Sequence, residues 1–311
     1  MGVHIAVALP EAVAVLFYLA QFRSAKRENT MHRISKQFVT TSEGDIFVQS
    51  CGSGAIPVCI LNITSFGTAL IPDALPHFAD QGCTVHAIDL LGYGRSDKFV
   101  RPLAMEQIAD VMIEAIRALG LSKTILVSGH YTGLPAIEMA SRNDGLVERL
   151  VLDGTPFYSA EMRAAQTVPV PADWQEDGSH ARTHWEHFLH LLQKLNPGMT
   201  VPAQPDHRFR QAYIALLEVF AFSPPTMQPL LDFPIEDKLA SLRCPALVLR
   251  GGTDWNRTSH EEFTSRIADV REHRFDGVHP MHDIFHPERA KEYVDVLLPF
   301  FAEARAVSPA L

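Results

Sequence analysis

Short apolar runs alternate with longer segments of helical periodicity along most of the chain. This alternation is typical of a mostly parallel sheet with helices packed on its faces, so it predicts an α/β fold. The predicted strands lie at 58–63, 84–90, 124–128, 148–153, 246–250 and 271–275. The predicted helices of this part lie at 71–80, 105–119, 133–141, 261–267 and 287–305.

Two segments depart from the alternation. Residues 36–41 and 45–50 flank the turn-like stretch Ser-Glu-Gly-Asp and predict an antiparallel hairpin. Residues 157–242 show helical periodicity without a convincing strand, with helices predicted at 181–195, 209–222 and 225–231. We expect this insert to form a helical lid over the carboxyl ends of the strands, where ligands bind in open α/β sheets. The core would then comprise residues 31–156 and 243–311.

The first thirty residues are predicted to be an apolar N-terminal extension, either an amphipathic helix packed on the domain or an unstructured segment outside it. They are apolar from Val3 to Ala20, apart from Pro10 and Glu11, and basic residues follow the run without preceding it. A secretory signal carries its positive charge before the apolar run. A glutamate within the run is costly in a bilayer, so a membrane anchor is the less favoured alternative.

Composition narrows the classes of partner. The 311 residues carry a net charge of −9 and are 47% hydrophobic, an ordinary balance for a globular protein with a sizeable core. An acidic chain without a basic patch does not match a nucleic-acid-binding protein. The four cysteines form no C-x-x-C pair and are expected to be buried thiols, which fits a reducing, cytoplasmic location.

The stretch SGHYTG at 128–133 is the most informative motif. It joins an apolar run to a helix-like run, which is the strand, sharp turn and helix of a nucleophile elbow. Gly129 and Gly133 would allow strand and helix to approach closely at the turn. In the pattern G-x-Nu-x-G the middle residue is Tyr131, where a serine is expected.

Two residues after this motif could serve as the acid and the base of a catalytic triad. Asp254 lies four residues past the end of a predicted strand, and His279 precedes the last predicted helix. The order of nucleophile position, acid and base matches that of α/β-hydrolases. From about residue 33 to residue 303 the sequence resembles that superfamily, in particular hydrolase-like proteins whose elbow reads G-H-H-T-G and which also lack serine there.

The resemblance implies a role for each matching residue. Tyr131 occupies the nucleophile position, Asp254 orients His279, and His279 acts as the general base. The backbone N–H of Thr132 is one oxyanion donor. The second donor normally follows a His-Gly pair after the third strand, but residues 62–65 read Asn-Ile-Thr-Ser, which makes Asn62 and Thr64 the candidates there. His130, beside the elbow, is a further candidate oxyanion or substrate contact.

A tyrosine at this position allows three roles. It could be the nucleophile, a hydrogen-bond donor or acid to a substrate carbonyl, or a relic that fills the site. A phenol has a pKa of about 10, so it needs a base such as His279 to ionise it. Its oxygen also lies further from Cα than that of serine and overshoots the position served by the Thr132 N–H.

Other residues remain as alternatives. Asp153 ends a predicted strand and is the alternative acid, and His282 and His286 are alternative bases because the match around 278–287 could shift by a few residues. His130 can instead be a structural residue at the strand end. The weaker candidates are Ser96 and Ser128 as nucleophiles, and His184, His187 and His190 as a zinc site; no metal is predicted, because no acid ligand accompanies those histidines.

The function expected from these features is a hydrolase-like enzyme acting on a small, mainly apolar ester, lactone or diketone, without a cofactor. The apolar residues of the insert motivate the apolar substrate: Trp174, Trp185, Phe188, Phe220 and Phe222. One alternative is non-hydrolytic base chemistry by His279 and Asp254, in a lyase or a cofactor-free reaction. The other is a catalytically silent ligand-binding protein on the same fold.

Overall fold

A computed structural model describes residues 32–62, 71–158, 163, 174–222, 227–251, 260–281, 283 and 286–306. The predicted N-terminal extension therefore lies outside the described residues. So do three candidate site residues, Thr64, Asp254 and His282.

The described chain forms one eight-stranded sheet in the order β1-β2-β4-β3-β5-β6-β7-β8. Its strands are β1 (Ser35–Thr41), β2 (Gly44–Cys51), β3 (Ile56–Leu61), β4 (Cys83–Ile88), β5 (Thr124–Gly129), β6 (Val147–Asp153), β7 (Ala246–Arg250) and β8 (Val270–Arg274). The pairs β1–β2 and β2–β4 are antiparallel, and every pair from β4 to β8 is parallel. The predicted hairpin and the mostly parallel α/β sheet are confirmed.

Helices connect the strands. They are α1 (Leu75–Asp80), α2 (Met105–Ala118), α3 (Gly133–Ser141), α4 (Ser179–Leu195), α5 (His207–Phe222), α6 (Met227–Asp232), α7 (Ile235–Ala240), α8 (His260–Ser265) and α9 (Ala290–Ala306). Helix α1 begins four residues later than predicted because Pro76 lies in its first turn. Proline lacks a backbone N–H and is tolerated there but not in a helix interior. Helix α7 was not predicted.

The sheet separates two apolar clusters, and β5 lies at its centre. All six residues of β5 are buried, and successive side chains alternate between the two clusters, with Ile125 and Val127 in one and Leu126 in the other. Alternation is the intrinsic geometry of a strand. The carboxyl end of β5, and with it the turn at 130–132, is therefore held by the most completely buried strand of the sheet.

The described part of the insert contains helices only. Phe188 and Phe209 form the centre of a separate small cluster between α4 and α5, against which Trp185 also packs. Trp174 is 67% exposed. Of the aromatic residues that motivated an apolar substrate, those whose side chains are described either pack within the insert or face solvent. A lid function for the insert stays a prediction.

None of the described helices combines the length and the apolar character needed to cross a membrane. Of the cysteines, Cys51, Cys59 and Cys83 are buried, and burial raises the pKa of the Cys59 thiol to about 12.

Helix α3 packs so closely against Thr155, two residues after the end of β6, that its first residue must be glycine. A Cβ at Gly133 would lie 2.8 Å from Thr155 Cβ and closer still to the γ atoms of that side chain. We therefore expect Gly133→Ala to lower the free energy of unfolding by about 1–3 kcal/mol through overpacking. Urea unfolding measures the loss. The double variant with Thr155→Ala should lose less than Gly133→Ala alone, and equal losses would contradict this account.

Candidate active site

The turn after β5 has the backbone of a nucleophile elbow. Strand β5 ends at Gly129, a 3-10 turn covers His130–Thr132, and α3 begins at Gly133. His130 has a φ of 51°, in the left-handed region that non-glycine residues rarely adopt. The strained residue of an elbow is the one whose side chain is presented at the top of the sheet. His130 therefore has the backbone conformation typical of the nucleophile position, one residue before Tyr131, the residue that the spacing of the glycines predicts.

Thr132 fastens the elbow to the sheet. Its hydroxyl accepts the N–H of Gly129 at 2.9 Å and lies 3.0 Å from the carbonyl oxygen of Leu61, to which it can donate. The side chain is completely buried. Thr132 thus joins the carboxyl ends of β5 and β3, a structural role beside the oxyanion role predicted for its backbone N–H.

Tyr131 points into the apolar core. It is only 8% exposed, its ring centroid lies 6.4 Å from that of Tyr93, and its hydroxyl has no hydrogen-bond partner among the described residues. Burial, and secondarily Tyr93, raises the pKa of Tyr131 well above the ordinary value. The phenol is therefore neutral at physiological pH. This environment favours the hydrogen-bonding and filling roles of Tyr131 over the nucleophilic one.

Asp153 supplies the negative charge of the site. It ends β6 directly beside Gly129 of β5 and is 5% exposed. Its Oδ1 lies 3.0 Å from Nε2 of His279, a contact that has the distance of a hydrogen bond but not its alignment. Burial alone would raise the pKa of Asp153, but His279, His130 and Tyr293 together hold it below the ordinary value. The predicted alternative acid is thus an ionised carboxylate in contact with the predicted base.

His279 is enclosed by protein. It is 2% exposed, and the rings of Phe275 and Tyr293 lie 4.7 Å and 5.7 Å away. Nδ1 accepts the backbone N–H of Met281 at 3.2 Å, so the proton of the neutral ring resides on Nε2, which faces Asp153. In this arrangement both ring nitrogens are directed at protein groups, and neither is presented to a substrate.

Tyr293 was missed by the sequence interpretation. It lies on α9, and its hydroxyl forms a hydrogen bond with the Asp153 carboxylate. Burial, followed by the charge of Asp153, raises the pKa of Tyr293 well above the ordinary value, so the hydroxyl keeps its proton for that bond. A cavity of about 20 Å³, enough for one water molecule, lies beside both residues. One tyrosine within an amphipathic helix gave no signal of this contact.

Two arginines hold the loop that carries His279. Arg289 donates to the carbonyl oxygen of Val278 at 2.7 Å and to the carboxylate of Asp283 at 3.1 Å. Arg208, from α5 of the insert, donates to the carbonyl oxygen of Asp283 at 3.1 Å. Asp283 in turn donates its N–H to the carbonyl oxygen of His279 at 3.1 Å. Arg208 of the insert and Arg289, which directly precedes α9, thus both donate hydrogen bonds to this short loop.

The remaining described candidates have polar contacts with other partners, although Ser128 lines the small cavity beside Asp153. Asn62 is buried, and its side-chain amide donates to the carbonyl oxygen of Ile88 at 3.1 Å, towards β4. Ser128 donates to Val151 within the sheet, and Ser96 donates to the carbonyl oxygen of Asp89. His286 is exposed and lies 3.1 Å from Glu288.

The histidines of α4 do not converge with acid ligands. His184 is buried, with its ring centroid 5.7 Å from that of His180, whereas His187 and His190 are exposed. Burial, and secondarily His180, lowers the pKa of His184. Among the described residues, no three histidine, cysteine, aspartate or glutamate side chains are placed to hold a metal ion.

A family model described as "Alpha/beta hydrolase family" matches residues 64–296. No curated protein matches the chain significantly in sequence.

Solved structures share the fold at low sequence identity. A proline iminopeptidase from Mycobacterium smegmatis matches with a TM-score of 0.64 and 20% identity over 87% of this chain and 98% of its own. An enol-lactonase from Burkholderia xenovorans has a TM-score of 0.64 and 17% identity over 86% of this chain and 100% of its own. An N-acyl homoserine lactonase has a TM-score of 0.67 and 18% identity over 90% of this chain and 100% of its own. At these identities the likeness shows the fold.

Because Asp153 is ionised in the folded state, its contribution to the free energy of unfolding should depend on pH. Because the folded state depresses its pKa, its stabilising contribution is complete above the unfolded-state pKa of about 4 and is lost as the pH falls through the folded-state pKa. Asp153→Asn should lower the free energy of unfolding by about 1–3 kcal/mol at neutral pH, since it removes the charged acceptor of the Tyr293 hydrogen bond and the partner of His279. The deficit should shrink as the pH is lowered below about 4. Urea unfolding across this range measures it, and a deficit independent of pH would contradict an ionised Asp153.

Proposed function

The chain belongs to the alpha/beta hydrolase family, and we propose that it is an enzyme that hydrolyses small esters or lactones with His130 as the general base. The observation that carries the proposal is the left-handed backbone of His130 at the apex of the elbow, beside the buried and ionised Asp153. Left-handed non-glycine residues concentrate at functional sites because the surrounding structure must hold the strain.

The charge of Asp153 supports this role. His279, and to a smaller extent His130, lower the pKa of Asp153, so the carboxylate lies within electrostatic reach of the apex. A carboxylate beside a histidine can orient the imidazole that serves as the general base. His130 is half-buried, whereas His279 is nearly inaccessible. Of the two histidines around Asp153, His130 is the one that can meet a substrate.

The proposed reaction balances without a covalent enzyme intermediate. His130 removes a proton from water as the water oxygen adds to the substrate carbonyl carbon, which forms a tetrahedral oxyanion and an imidazolium. Collapse of the oxyanion breaks the bond to the leaving oxygen, which takes the proton from His130. The products are a carboxylic acid and an alcohol, or one hydroxy acid from a lactone.

Backbone N–H groups at the elbow would stabilise the oxyanion. In this fold the residue after the apex supplies one donor. With His130 at the apex, that donor is Tyr131, one residue before the predicted Thr132. The start of α3 adds the favourable end of a helix dipole at the same place. Thr64, which follows β3 in the sequence and lies outside the described residues, remains the candidate for the second donor.

The substrate class is proposed from chemistry and from the fold relatives. Addition of water to a carbonyl fits the chemistry of two of the matched proteins, which are described as an enol-lactonase and an N-acyl homoserine lactonase. The aromatic side chains described in the insert do not support a preference for strongly apolar substrates, because Phe188 and Trp185 pack within the insert. A small neutral ester or lactone is the proposed class.

A matched pair of variants tests the proposal. Asparagine tolerates left-handed backbone, so His130→Asn removes the base while keeping the elbow. We expect it to lower kcat/KM for p-nitrophenyl butyrate by about 100-fold or more, the usual contribution of a general base. Tyr131→Phe should leave kcat/KM little changed, because the phenol is buried and neutral. The opposite ranking, or an acyl adduct on Tyr131 in intact-mass spectra, would contradict the proposal.

Two further outcomes lead to the alternative functions. If the protein hydrolyses no ester or lactone but exchanges an acidic C–H proton of a 1,3-diketone with deuterated water, and His130→Asn abolishes the exchange, the site carries out non-hydrolytic base chemistry. If neither reaction occurs above the rate in buffer, the protein binds its ligand without converting it. Both outcomes would overturn hydrolysis.

A further inference from the structure

A separate cleft lies between the β1–β2 hairpin and α5. Its volume is about 620 Å³, within the range of small-molecule sites. The residues that line it do not include His130, Asp153 or His279. The cleft is therefore a different site from that of the proposed reaction.

One wall of the cleft is a single face of α5. The lining residues of this helix recur at helical spacing and are His207, Arg208, Gln211, Ile214, Ala215 and Glu218. Residues three, four and seven positions apart lie on the same side of a helix. This wall offers polar groups near the start of α5 and an apolar strip at Ile214 and Ala215. Pro72 and Ile34 add apolar surface from the core.

The opposite wall is one face of the hairpin. Lys36 of β1 pairs with Gln49 of β2, and Phe47 lies two residues before Gln49 on the same face. The guanidinium of Arg95 lies 5.0 Å above the centre of the Phe47 ring. Lys36, Gln49 and Arg95 all line the cleft.

Two of the three carboxylates that line the cleft have close partners. Asp89 accepts the backbone N–H of Arg95 at 3.0 Å, and Asp73 lies 3.5 Å from Nε of Arg208. The third, Glu218, opposes the lowering of the pKa of Lys98 that burial causes.

By contrast, neither Lys36 nor the guanidinium of Arg95 has a carboxylate within ion-pair distance among the described residues. Two positive charges that form no ion pair among the described residues thus face one cleft, in a chain whose net charge is −9.

We propose that this cleft binds a small organic carboxylate with a short apolar chain. The carboxylate lies between Arg95 and Lys36, where a planar guanidinium can donate two parallel hydrogen bonds and an ammonium adds a point charge. The chain extends along Ile214 and Ala215. The proposal does not depend on the chemistry at His130.

Isothermal titration of the full chain with sodium octanoate tests the site, with octanamide as the uncharged probe of equal length. We expect octanoate to bind and octanamide to bind at least tenfold more weakly. The double variant Lys36→Gln, Arg95→Gln should weaken octanoate binding at least tenfold. Lys123→Gln, which removes an exposed charge that pairs with Glu148 away from the cleft, is the matched control and should bind octanoate as the wild type does.

Three results would overturn the proposal. Equal affinity for octanoate and octanamide would show that charge is not recognised. Inorganic phosphate with the affinity of octanoate would show that the apolar strip contributes nothing. Loss of octanoate binding in His130→Asn, with retention in the double variant, would place the ligand at the elbow. Retained binding in His130→Asn supports the cleft whatever that variant does to hydrolysis, so the two proposals can fail separately.

Discussion

The site depends on one buried negative charge, the carboxylate of Asp153. A carboxylate this deeply buried is costly unless other groups compensate it, and here His279, His130 and Tyr293 do so from three elements of the fold. The compensation fixes those groups as much as it stabilises the charge. It keeps the proton on the Tyr293 hydroxyl and has Nε2 of His279 3.0 Å from the carboxylate.

Close packing at the elbow holds His130 near the Asp153 carboxylate. Thr132 joins β5 to β3, and the absence of a side chain at Gly133 lets α3 approach the end of β6. The same closeness sends Tyr131 into the core. His130 and Tyr131, which are neighbours in the sequence, therefore differ in their surroundings: His130 is half-buried, and Tyr131 packs in the apolar core.

Much of the fold could be predicted because it follows from periodicity. The period of two in strands and 3.6 in helices located the hairpin, the order of strands and helices and the all-helical character of the described insert. The apex could not be predicted this way. The spacing of Gly129 and Gly133 favours Tyr131, whereas the left-handed backbone, which depends on packing, occurs at His130. Similarly, strand-end acids look alike in sequence, and only three-dimensional contact singles out Asp153 beside His279 and Tyr293.

The central claim is that His130, and not His279, is the histidine that meets the substrate. Diethyl pyrocarbonate acylates accessible, unprotonated imidazole nitrogens, and peptide mapping by mass spectrometry locates each modified histidine. The account predicts that His130 is modified in step with loss of ester hydrolysis, while His279 stays unmodified in the folded protein. Modification of His279 with His130 spared, tracking the loss of activity, would contradict it.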